Sequence, residues 1–275
     1  MLLSSAQVLT SAGYGSAMGL RQLGWRACYE LLGSRVQRPE WAFMNYGYAP
    51  LEPDAAHLAL DPVDEPDRYC IQLYSHVLDQ VDVAGADVLE VGSGRGGGAS
   101  WISRTLGPAT TTGVDFAASA VTLASRDRVG PGLRFVRGDA QALPFPDASF
   151  DVVVNVESSH CYGSMTAFVA EVQRVLRPGG AFVWADLRSA EDVERTRAQL
   201  VSSGLVPERE SDITGEVLHA LRLDDARKAE LVRTWIPRPF QRAMRPLAGL
   251  DGTRNPEGFA AGTLRYRSAR LVRTA

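Results

Sequence analysis

The chain has a single lysine, few cysteines and no long hydrophobic run, and each shortage excludes a class of protein. Lys228 is the only lysine among 29 Lys and Arg residues, and the formal net charge is −3. Because no stripe of basic residues is present, the composition does not indicate a nucleic-acid-binding protein. No stretch approaches the roughly 20 apolar residues of a transmembrane helix, so we expect a cytoplasmic protein without a membrane span.

The cysteines are too few and too far apart to form a disulfide framework or a zinc site. They stand at Cys28, Cys70 and Cys161, and we expect three free thiols in a reducing compartment. Asp, Glu and His residues do not cluster at metal-ligand spacing, so no metal is predicted. The apolar N-terminus has no charge before Arg21 and is broken by Ser, Gly and Gln, which argues against a signal peptide.

Between residues 66 and 190, short apolar segments alternate with segments of helical periodicity. Strand-like segments include "ADVLEVG" and "SFDVVVNVES", and "MTAFVAEVQRVLRPGG" is an amphipathic helix that Pro-Gly-Gly is expected to close. Pro66 suits the first turn of a helix that runs to about Gln80. This alternation predicts an α/β fold in which a mostly parallel sheet carries helices on both faces.

The flanking parts of the sequence are less regular. Residues 1–40 predict one or two helices before an aromatic loop, so we expect residues 1–65 to pack over the site of a main domain at 66–275. Residues 191–204 predict a further helix, and "LVPERESDIT" and "TLRYRSARLVRT" predict strands. The stretch at 215–260 is too long for a plain connection, and we expect an insertion that forms part of a substrate pocket or a lid.

The segment "VLEVGSGRGGG" predicts a strand, a glycine loop and the start of a helix. Glycine lets the backbone turn tightly and approach a ligand, and a helix N-terminus offers N–H groups to it. Gly92, Gly94 and Gly97 match the G-x-G-x-x-G pattern of dinucleotide-binding proteins, with Asp115 available for a ribose. One interpretation is therefore a nicotinamide-dependent enzyme.

A second pattern, acid-x-G-x-G-x-G, fits the same loop equally well through Glu90, Gly92, Gly94 and Gly96. This is the first motif of the class I S-adenosylmethionine (SAM) methyltransferases. Their ligand carries an ammonium, a carboxylate and a sulfonium but no phosphate. An acid two residues before the first glycine suits such a cationic ligand better than it suits a pyrophosphate.

The segments that follow distinguish the two alternatives. Asp115 can accept hydrogen bonds from both ribose hydroxyls, and Phe116 can cover the adenine. "RGDAQALPFPDASFDVV" and "EVQRVLRPGG" are similar to the methyltransferase pattern, in which Asp139 would meet the adenine amino group and Ala140 would offer its backbone. From about residue 85 to 187 the chain therefore resembles the class I SAM methyltransferases.

The resemblance implies SAM as the cofactor and a Rossmann-like fold with a seven-stranded, mostly parallel sheet. N-terminal helices and the insertion in the C-terminal half would be additions to that fold. The cofactor site that it implies consists of Glu90, Gly92, Ser93, Gly94, Gly96, Asp115, Phe116, Asp139, Ala140 and Asn155.

Within this superfamily, the chain is most similar to the phthiotriol/phenolphthiotriol dimycocerosate methyltransferase group. "VESSHCY", "DEPDRYCIQLY" and "GRGGGASWISRTL" carry this resemblance, and bacterial sugar and macrolide O-methyltransferases are more weakly similar. The similarity is good over residues 40–190 and poor over 190–275. It implies a small lipophilic acceptor, such as a polyketide, glycoside or glycolipid of secondary metabolism or antibiotic biosynthesis. It leaves homo-oligomer formation open.

His160, in "NVESSHCYG", is the candidate general base. It stands at the end of the fourth predicted strand, on the edge where doubly wound folds bind ligands. Asp186 follows the fifth predicted strand at the same edge, so we expect the two side chains to lie close together. Asp186 would then fix the tautomer of the imidazole and stabilise its protonated form. The sugar O-methyltransferases that this chain resembles use a His–Asp pair at corresponding positions.

Other side chains are candidates for substrate contact. Glu157 could face the cofactor or the substrate, and Tyr46 and Tyr48 could line the entrance of the site. Cys161 is interpreted as a small buried residue, because methyl transfer from SAM needs no covalent intermediate. The walls of an apolar acceptor pocket could come from Trp41, Phe43, Trp235 and Phe240.

Three reactions remain open on this scaffold. The leading hypothesis is O-methylation of a hydroxyl group, for which a general base contributes on the order of 10²–10⁴-fold in rate. The second is C-methylation of a prenyl or terpenoid chain, in which aromatic faces would stabilise a carbocation. The third is a methyltransferase-like cyclase that binds SAM without transferring its methyl group.

Overall fold

The computed structural model describes residues 38–52, 58–79 and 81–274. Its centre is a seven-stranded sheet with the strand order β3-β2-β1-β4-β5-β7-β6. Strands β1 to β5 pair in parallel, and β7 runs antiparallel to both of its neighbours. The strands are β1 Asp87–Val91, β2 Thr110–Asp115, β3 Leu133–Arg137, β4 Phe150–Val156, β5 Leu176–Ser189, β6 Val206–Asp212 and β7 Leu264–Val272.

Eight α-helices occur in the described ranges, and none of them is long and apolar enough to cross a membrane. Pro66 lies in a 3₁₀ turn directly before the first of them, as its fixed φ angle favours. The helices are α1 Arg68–Leu78, α2 Gly97–Thr105, α3 Ala118–Asp127, α4 Met165–Val175, α5 Val193–Leu200, α6 Thr214–Trp235, α7 Arg238–Leu247 and α8 Arg254–Ala260.

The sheet is buried on both faces, because its central strands carry apolar side chains in both directions. In β4, Val152 and Val154 pack with α1, α2 and α6 on one face, while Val153 packs with α4 and α5 on the other. All three side chains are at most 2 % exposed. Near-continuous apolar runs are what a parallel sheet covered on both sides requires. The predicted fold class is thereby confirmed.

The end of α4 differs from the sequence prediction. We expected Pro-Gly-Gly to close this helix, but α4 ends at Val175 and the following segment is already extended as the start of β5. Gly179 has a φ of +81°, and its N–H donates to the carbonyl of Arg273 at 2.7 Å. The glycines therefore shape an irregular strand entry next to β7, and not a helix C-cap.

The stretch at 215–260 folds almost entirely as helix between β6 and β7. Helix α6 packs against β7, and α7 and α8 pack against α6. Val232, Ile236, Met244 and Leu250 form a small apolar cluster separate from the two cores of the sheet. The N-terminal helices expected before residue 40 lie outside the described residues, except for the last three positions of that stretch.

Candidate active site

Two cavities meet at the edge of the sheet where β1, β2, β4 and β5 end. The glycine-loop cavity is lined by the loop after β1, the residues that follow β2 and β3, and part of the segment after β4. The helix cavity is lined by α6, α7, α8 and residues near the start of α1. Ligands of doubly wound folds bind at this edge.

The glycine loop runs close to other side chains as it turns out of β1. Gly92 and Gly94 have φ angles of +76° and +51°, which glycine adopts without strain. A Cβ added to Gly92 would lie 2.3 Å from the hydroxyl oxygen of Ser158. A Cβ added to Gly98, at the start of α2, would lie 2.2 Å from the ring of Tyr74. Neither position has room for a larger residue.

Seven of the ten predicted cofactor residues line the glycine-loop cavity. Asp115 is the best defined of them, since one carboxylate oxygen accepts from the N–H of Gly94 and the other from that of Ala117, each at 2.8 Å. Each carboxylate oxygen can accept a further hydrogen bond, so Asp115 can still bind a hydroxyl. The lining residues are Gly92, Ser93, Gly94, Asp115, Phe116, Asp139 and Ala140.

Glu90 does not line this cavity but lies beneath the loop, only 1 % exposed. Its carboxylate accepts from the hydroxyl of Tyr74 at 2.5 Å and from the N–H of Ala99, in the first turn of α2, at 2.7 Å. Burial raises its pKa to about 7, although the two hydrogen bonds act in the opposite direction. The structure therefore places Glu90 as a brace for the loop and α2, and direct cofactor contact stays a prediction.

Asn155 and Gly96 also lie outside the cavity lining. Asn155 is fully buried, and its amide contacts the carbonyl of Val91 at 2.8 Å and the hydroxyls of Ser158 and Tyr162 at 2.7 and 3.0 Å. It thus connects the end of β1 to the segment after β4. Gly96 packs against Phe135 and Ala124 on the far side of the loop.

Residues 40–46, which we call the crossing segment, separate the two cavities. Phe43, Met44 and Asn45 line both of them. Trp41 lines the helix cavity, and its ring packs against the guanidinium of Arg95 in the glycine loop, 4.5 Å from the ring centroid. The crossing segment is therefore a shared wall that contacts the ligand-binding loop on one side and the helices on the other.

Glu157 also lines both cavities. It has a φ of +48°, which is uncommon for a residue with a side chain and is found where the surroundings impose it. One carboxylate oxygen accepts from the N–H of Tyr46 and from the hydroxyl of Tyr266, each at 2.8 Å. Burial raises its pKa to about 7 against the opposing effects of Tyr46, His160 and Tyr266.

His160 and Asp186 lie together, at the ends of the neighbouring strands β4 and β5. The imidazole Nδ1 is 2.7 Å from one oxygen of Asp186, and the backbone N–H of His160 donates to the other at 2.8 Å. The side chain of Asp186 is fully buried, whereas that of His160 is 12 % exposed and lines the helix cavity. Because Asp186 holds Nδ1, any proton taken from a ligand must go to Nε2.

Ser159 and Arg188, neither of which was predicted as a site residue, hold Asp186 in place. The hydroxyl of Ser159 donates to Asp186 at 2.6 Å and accepts from the indole N–H of Trp184 and from Arg188, at 2.9 and 2.8 Å. Arg188 also forms an ion pair with Asp186 at 3.0 Å. Two features of the sequence could have indicated these residues. Ser159 stands directly before His160, and Arg188 is a second charged residue, after Asp186, in a mostly buried strand.

The charges around His160 make its imidazole more basic. Burial lowers the pKa of His160, but Cys161 and the Asp186 carboxylate raise it, and the resulting pKa lies well above the usual value. Burial raises the pKa of Asp186, but His160 and Arg188 hold it well below its usual range. The pair is therefore ionised near neutral pH, and neutral His160 becomes more abundant as the pH rises.

The remaining sequence candidates divide between the cavities and the rest of the protein. Tyr46 lines the helix cavity and packs edge-on against Phe259. Tyr48 lines neither cavity and stacks on His76 at 4.4 Å between ring centroids, which agrees with packing of the aromatic loop, and its contact with substrate stays a prediction. Tyr48 lies two residues after Tyr46 in the same loop, and its ring faces α1, which contains His76.

The expected aromatic walls are only partly present. Trp41, Phe43 and Trp235 line the helix cavity, but Phe240 does not and is 54 % exposed on α7.

Cys161 lines the glycine-loop cavity and is partly exposed. Cys28 lies outside the described residues. Within the described ranges, no three His, Cys, Asp or Glu residues are arranged to hold a metal ion.

The lining of the glycine-loop cavity fits SAM. The Asp115 carboxylate suits a ribose, and the ring of Phe116 and the Asp139 carboxylate suit an adenine. Gly92, Ser93 and Gly94 border the cavity, so a ligand can approach the loop backbone closely. Glu157 adds a carboxylate on the wall that faces the helix cavity. Such an acidic lining favours a ligand with positive charge and disfavours a pyrophosphate.

Comparisons with known proteins agree with this fit. Residues 89–184 match the protein family described as "Methyltransferase domain". The chain is 42% identical over 243 residues to the phthiotriol/phenolphthiotriol dimycocerosates methyltransferase of Mycobacterium tuberculosis, covering 88% of this chain and 89% of the relative. It is 40% identical over 236 residues to the fatty-acid O-methyltransferase of Mycolicibacterium smegmatis, covering 82% and 85%.

A solved structure with the same fold is that of geranyl diphosphate C-methyltransferase from Streptomyces coelicolor A3(2). It was determined in complex with Mg²⁺, geranyl diphosphate and S-adenosyl-L-homocysteine. The TM-score is 0.62 at 16% sequence identity, and the alignment covers 90% of this chain and 98% of the other. At this identity the likeness extends to the fold alone.

Proposed function

Because this chain belongs to the SAM-dependent methyltransferases, we propose that it methylates a hydroxyl group of a small lipophilic molecule, with His160 as the general base. SAM is the methyl donor and supplies an activated methyl group on a sulfonium. In the proposed reaction an O–C bond forms, the C–S bond breaks, and the hydroxyl proton goes to Nε2 of His160. The products are a methyl ether and S-adenosylhomocysteine.

The observation that carries this proposal is the His160–Asp186 pair at the wall of the helix cavity. Asp186 accepts from Nδ1 at 2.7 Å, which fixes the ring so that Nε2 is the nitrogen that takes a proton. Asp186 also stabilises the imidazolium that results. Ser159 and Arg188 keep Asp186 ionised and oriented, so we assign them positioning roles.

The acceptor is proposed to occupy the helix cavity. Trp41, Leu231, Trp235 and Met244 give this cavity a largely apolar lining, which suits a lipophilic molecule. The names of the relatives point the same way, since one refers to phthiotriol lipids and another to fatty acids. We propose that the insertion at 215–260 forms the acceptor pocket and that the crossing segment, residues 40–46, covers the site.

Glu157 is proposed as the residue that links the two subsites. It lines both cavities, and its carboxylate is held by Tyr46 and Tyr266. A carboxylate at this position would favour the positive charge of the sulfonium on one side and accept from the acceptor hydroxyl on the other. Tyr46, which binds Glu157 through its backbone N–H, is proposed as part of the same substrate wall.

The proposal is tested by incubating the purified protein with SAM and a matched set of long-chain acceptors. The set contains an alcohol, the corresponding fatty acid and the corresponding terminal alkene. Mass spectrometry should detect a methyl ether of the alcohol together with an equal amount of S-adenosylhomocysteine. A methyl ester as the only product, or a methylated alkene, would contradict O-methylation of a hydroxyl.

A carboxylate acceptor is the second candidate, and it is favoured because two cations, protonated His160 and Arg188, flank the single carboxylate of Asp186. A protonated His160 would bind a carboxylate at the wall of the helix cavity, and esterification requires no proton to be removed. One relative is named a fatty-acid O-methyltransferase, and a fatty acid carries a carboxylate. In that case the rate would decrease with rising pH, whereas the hydroxyl reaction would accelerate.

A further inference from the structure

Lys228 is a buried cation in the wall of the helix cavity. It lies in α6, its side chain is 11% exposed, and it is the only lysine of the chain. A lysine that is buried in an apolar surrounding costs free energy unless its charge is compensated and its N–H groups are hydrogen-bonded. Its partners therefore determine whether the position is merely structural or can bind a ligand.

The described partners do not satisfy the Lys228 ammonium. It donates to the backbone carbonyl of Tyr46 at 3.2 Å, and its nearest carboxylate oxygen, on Asp224, is 3.7 Å away. Asp224 already accepts two hydrogen bonds from Arg227, at 2.6 and 2.7 Å. Because an ammonium has three N–H donors, at least one of them remains available to a molecule in the cavity.

The charges around Lys228 indicate which ligand it can take. Arg227 also contacts Asp67, at 3.4 Å, so two cations face two carboxylates. Burial raises the pKa of Asp67 to about 6, and Arg227 is the main group that lowers it. Asp67 is therefore still largely ionised at neutral pH. The group is then neutral overall, and a carboxylate ligand would add an uncompensated buried charge. An uncharged oxygen avoids that cost and still accepts a hydrogen bond.

The position of Lys228 relates it to the proposed site of chemistry. Its ammonium binds the carbonyl oxygen of Tyr46, while the N–H of the same residue binds Glu157 at the boundary of the two cavities. His160 lines the same cavity as Lys228. A molecule that fills this cavity can therefore place one oxygen at His160 and a second oxygen at Lys228.

We propose that Lys228 determines acceptor specificity by donating a hydrogen bond to a second, uncharged oxygen of the acceptor, in a hydroxyl or carbonyl group. The proposal rests on the function proposed above, because it assumes that the acceptor occupies the helix cavity. A compact ammonium on a long stem suits a single oxygen, whereas a guanidinium would suit a planar carboxylate. The preferred acceptors are thus lipophilic molecules with two separated oxygens.

The experiment compares a mono-alcohol with a set of diols of equal chain length, in which the second hydroxyl is moved along the chain. For the wild-type protein, we expect one diol to have a KM about tenfold or more below that of the mono-alcohol, since hydrogen bonds to charged groups are the strong ones. In Lys228→Met, the ratio of the two KM values should fall to about one. Leu223→Met, an exposed position on the same helix, is the control and should keep the wild-type ratio.

Three results would overturn the inference. The first is a wild-type KM that is equal for the mono-alcohol and every diol, and the second is a Lys228→Met variant that keeps the wild-type ratio. The third is a matched hydroxy acid that binds better than the best diol at neutral pH. Failure of the proposed function itself is distinguishable, because the wild-type protein would then methylate none of the alcohols. Titration with SAM and circular dichroism verify that Lys228→Met is folded.

Discussion

The two cavities share a wall but are built in different ways. The glycine-loop cavity lies at strand ends, and much of its lining comes from backbone, short side chains and carboxylates in the segments that follow β1, β2, β3 and β4. The helix cavity is formed by aromatic and long aliphatic side chains, and it brings residues near position 41 together with residues near 228 and 244. The first arrangement suits one constant ligand, and the second, if it holds the acceptor as proposed, can change its specificity when a few side chains change.

The residues near the two cavities are of two kinds, those that support a cavity from beneath and those that line it. Glu90 and Asn155 lie beneath the glycine-loop cavity and keep its backbone in place, so we expect changes there to affect SAM binding and stability. His160 and Lys228 line only the helix cavity, so we expect changes there to affect turnover or acceptor choice. Glu157 and the crossing segment belong to both.

The largest expected effect is that of His160→Ala. Removal of the proposed base should lower kcat by at least about 100-fold, because the hydroxyl proton loses its acceptor. The affinity for SAM should stay within about twofold of wild type, since His160 does not line the glycine-loop cavity. Turnover at saturating acceptor and calorimetric titration with SAM measure the two quantities. Near-wild-type turnover would remove His160 from the mechanism.

The second effect concerns the other cavity and compares Gly92→Ala with Gly179→Ala. Both glycines have a positive φ, +76° and +81°, so both variants should lose on the order of 1 kcal/mol in stability. Only at Gly92 would the new Cβ meet other atoms, namely the hydroxyl groups of Ser158 and Tyr162. We expect the Kd for SAM to rise about tenfold or more in Gly92→Ala alone. An equal loss of SAM affinity in both variants would contradict the account of the loop.

The third effect is that of Asp186→Asn on the pH dependence of turnover. The carboxylate raises the pKa of His160, so its removal should move the rising part of the pH–rate profile to lower pH. The rate on the plateau should also fall, by about tenfold or more, because the imidazole is no longer fixed in one tautomer. A profile at the wild-type position would indicate that a group other than His160 titrates.

The fourth effect is that of Glu90→Gln on the pH dependence of stability. The pKa of Glu90 is about 7 in the folded protein, so between roughly pH 4.5 and 7 the folded state holds a proton that the unfolded chain has lost. Stability should therefore decrease as the pH rises through this window, by on the order of 2–3 kcal/mol from this residue. Urea unfolding at several pH values should show that the free energy of unfolding decreases less with rising pH in Glu90→Gln than in wild type. The exposed substitution Glu191→Gln is the control and should behave as wild type.

The sequence predicted the glycine-loop cavity well because its residues follow consecutive strands. Gly92 follows β1, Asp115 ends β2 and Asp139 follows β3, and parallel strands bring such positions to one edge. The same geometry brings His160 and Asp186 together from neighbouring strands. Whether Glu90 contacts the cofactor or supports the loop from below depends on side-chain direction, which a motif does not specify.

The helix cavity could not be predicted to the same degree. Helix α6 has an irregular apolar pattern because it faces the sheet, the crossing segment and the cavity at different positions along its length. Arg227 and Lys228 lie three and four residues after Asp224, so these contacts are local, but the contact of Lys228 with Tyr46 spans 182 residues. Tyr46 and Tyr48 could not be distinguished for a related reason, since these two tyrosines of one loop contact different parts of the protein.

The most direct test of the account is the pH dependence of the single-turnover rate with an alcohol acceptor, measured for wild type and for His160→Gln at saturating SAM. We predict that the wild-type rate rises with pH and levels off above the usual pKa of histidine, because the pKa of His160 is raised. The rate of His160→Gln should be much lower and should lack this rise. The same rising profile in both proteins would contradict the assignment of His160 as the base.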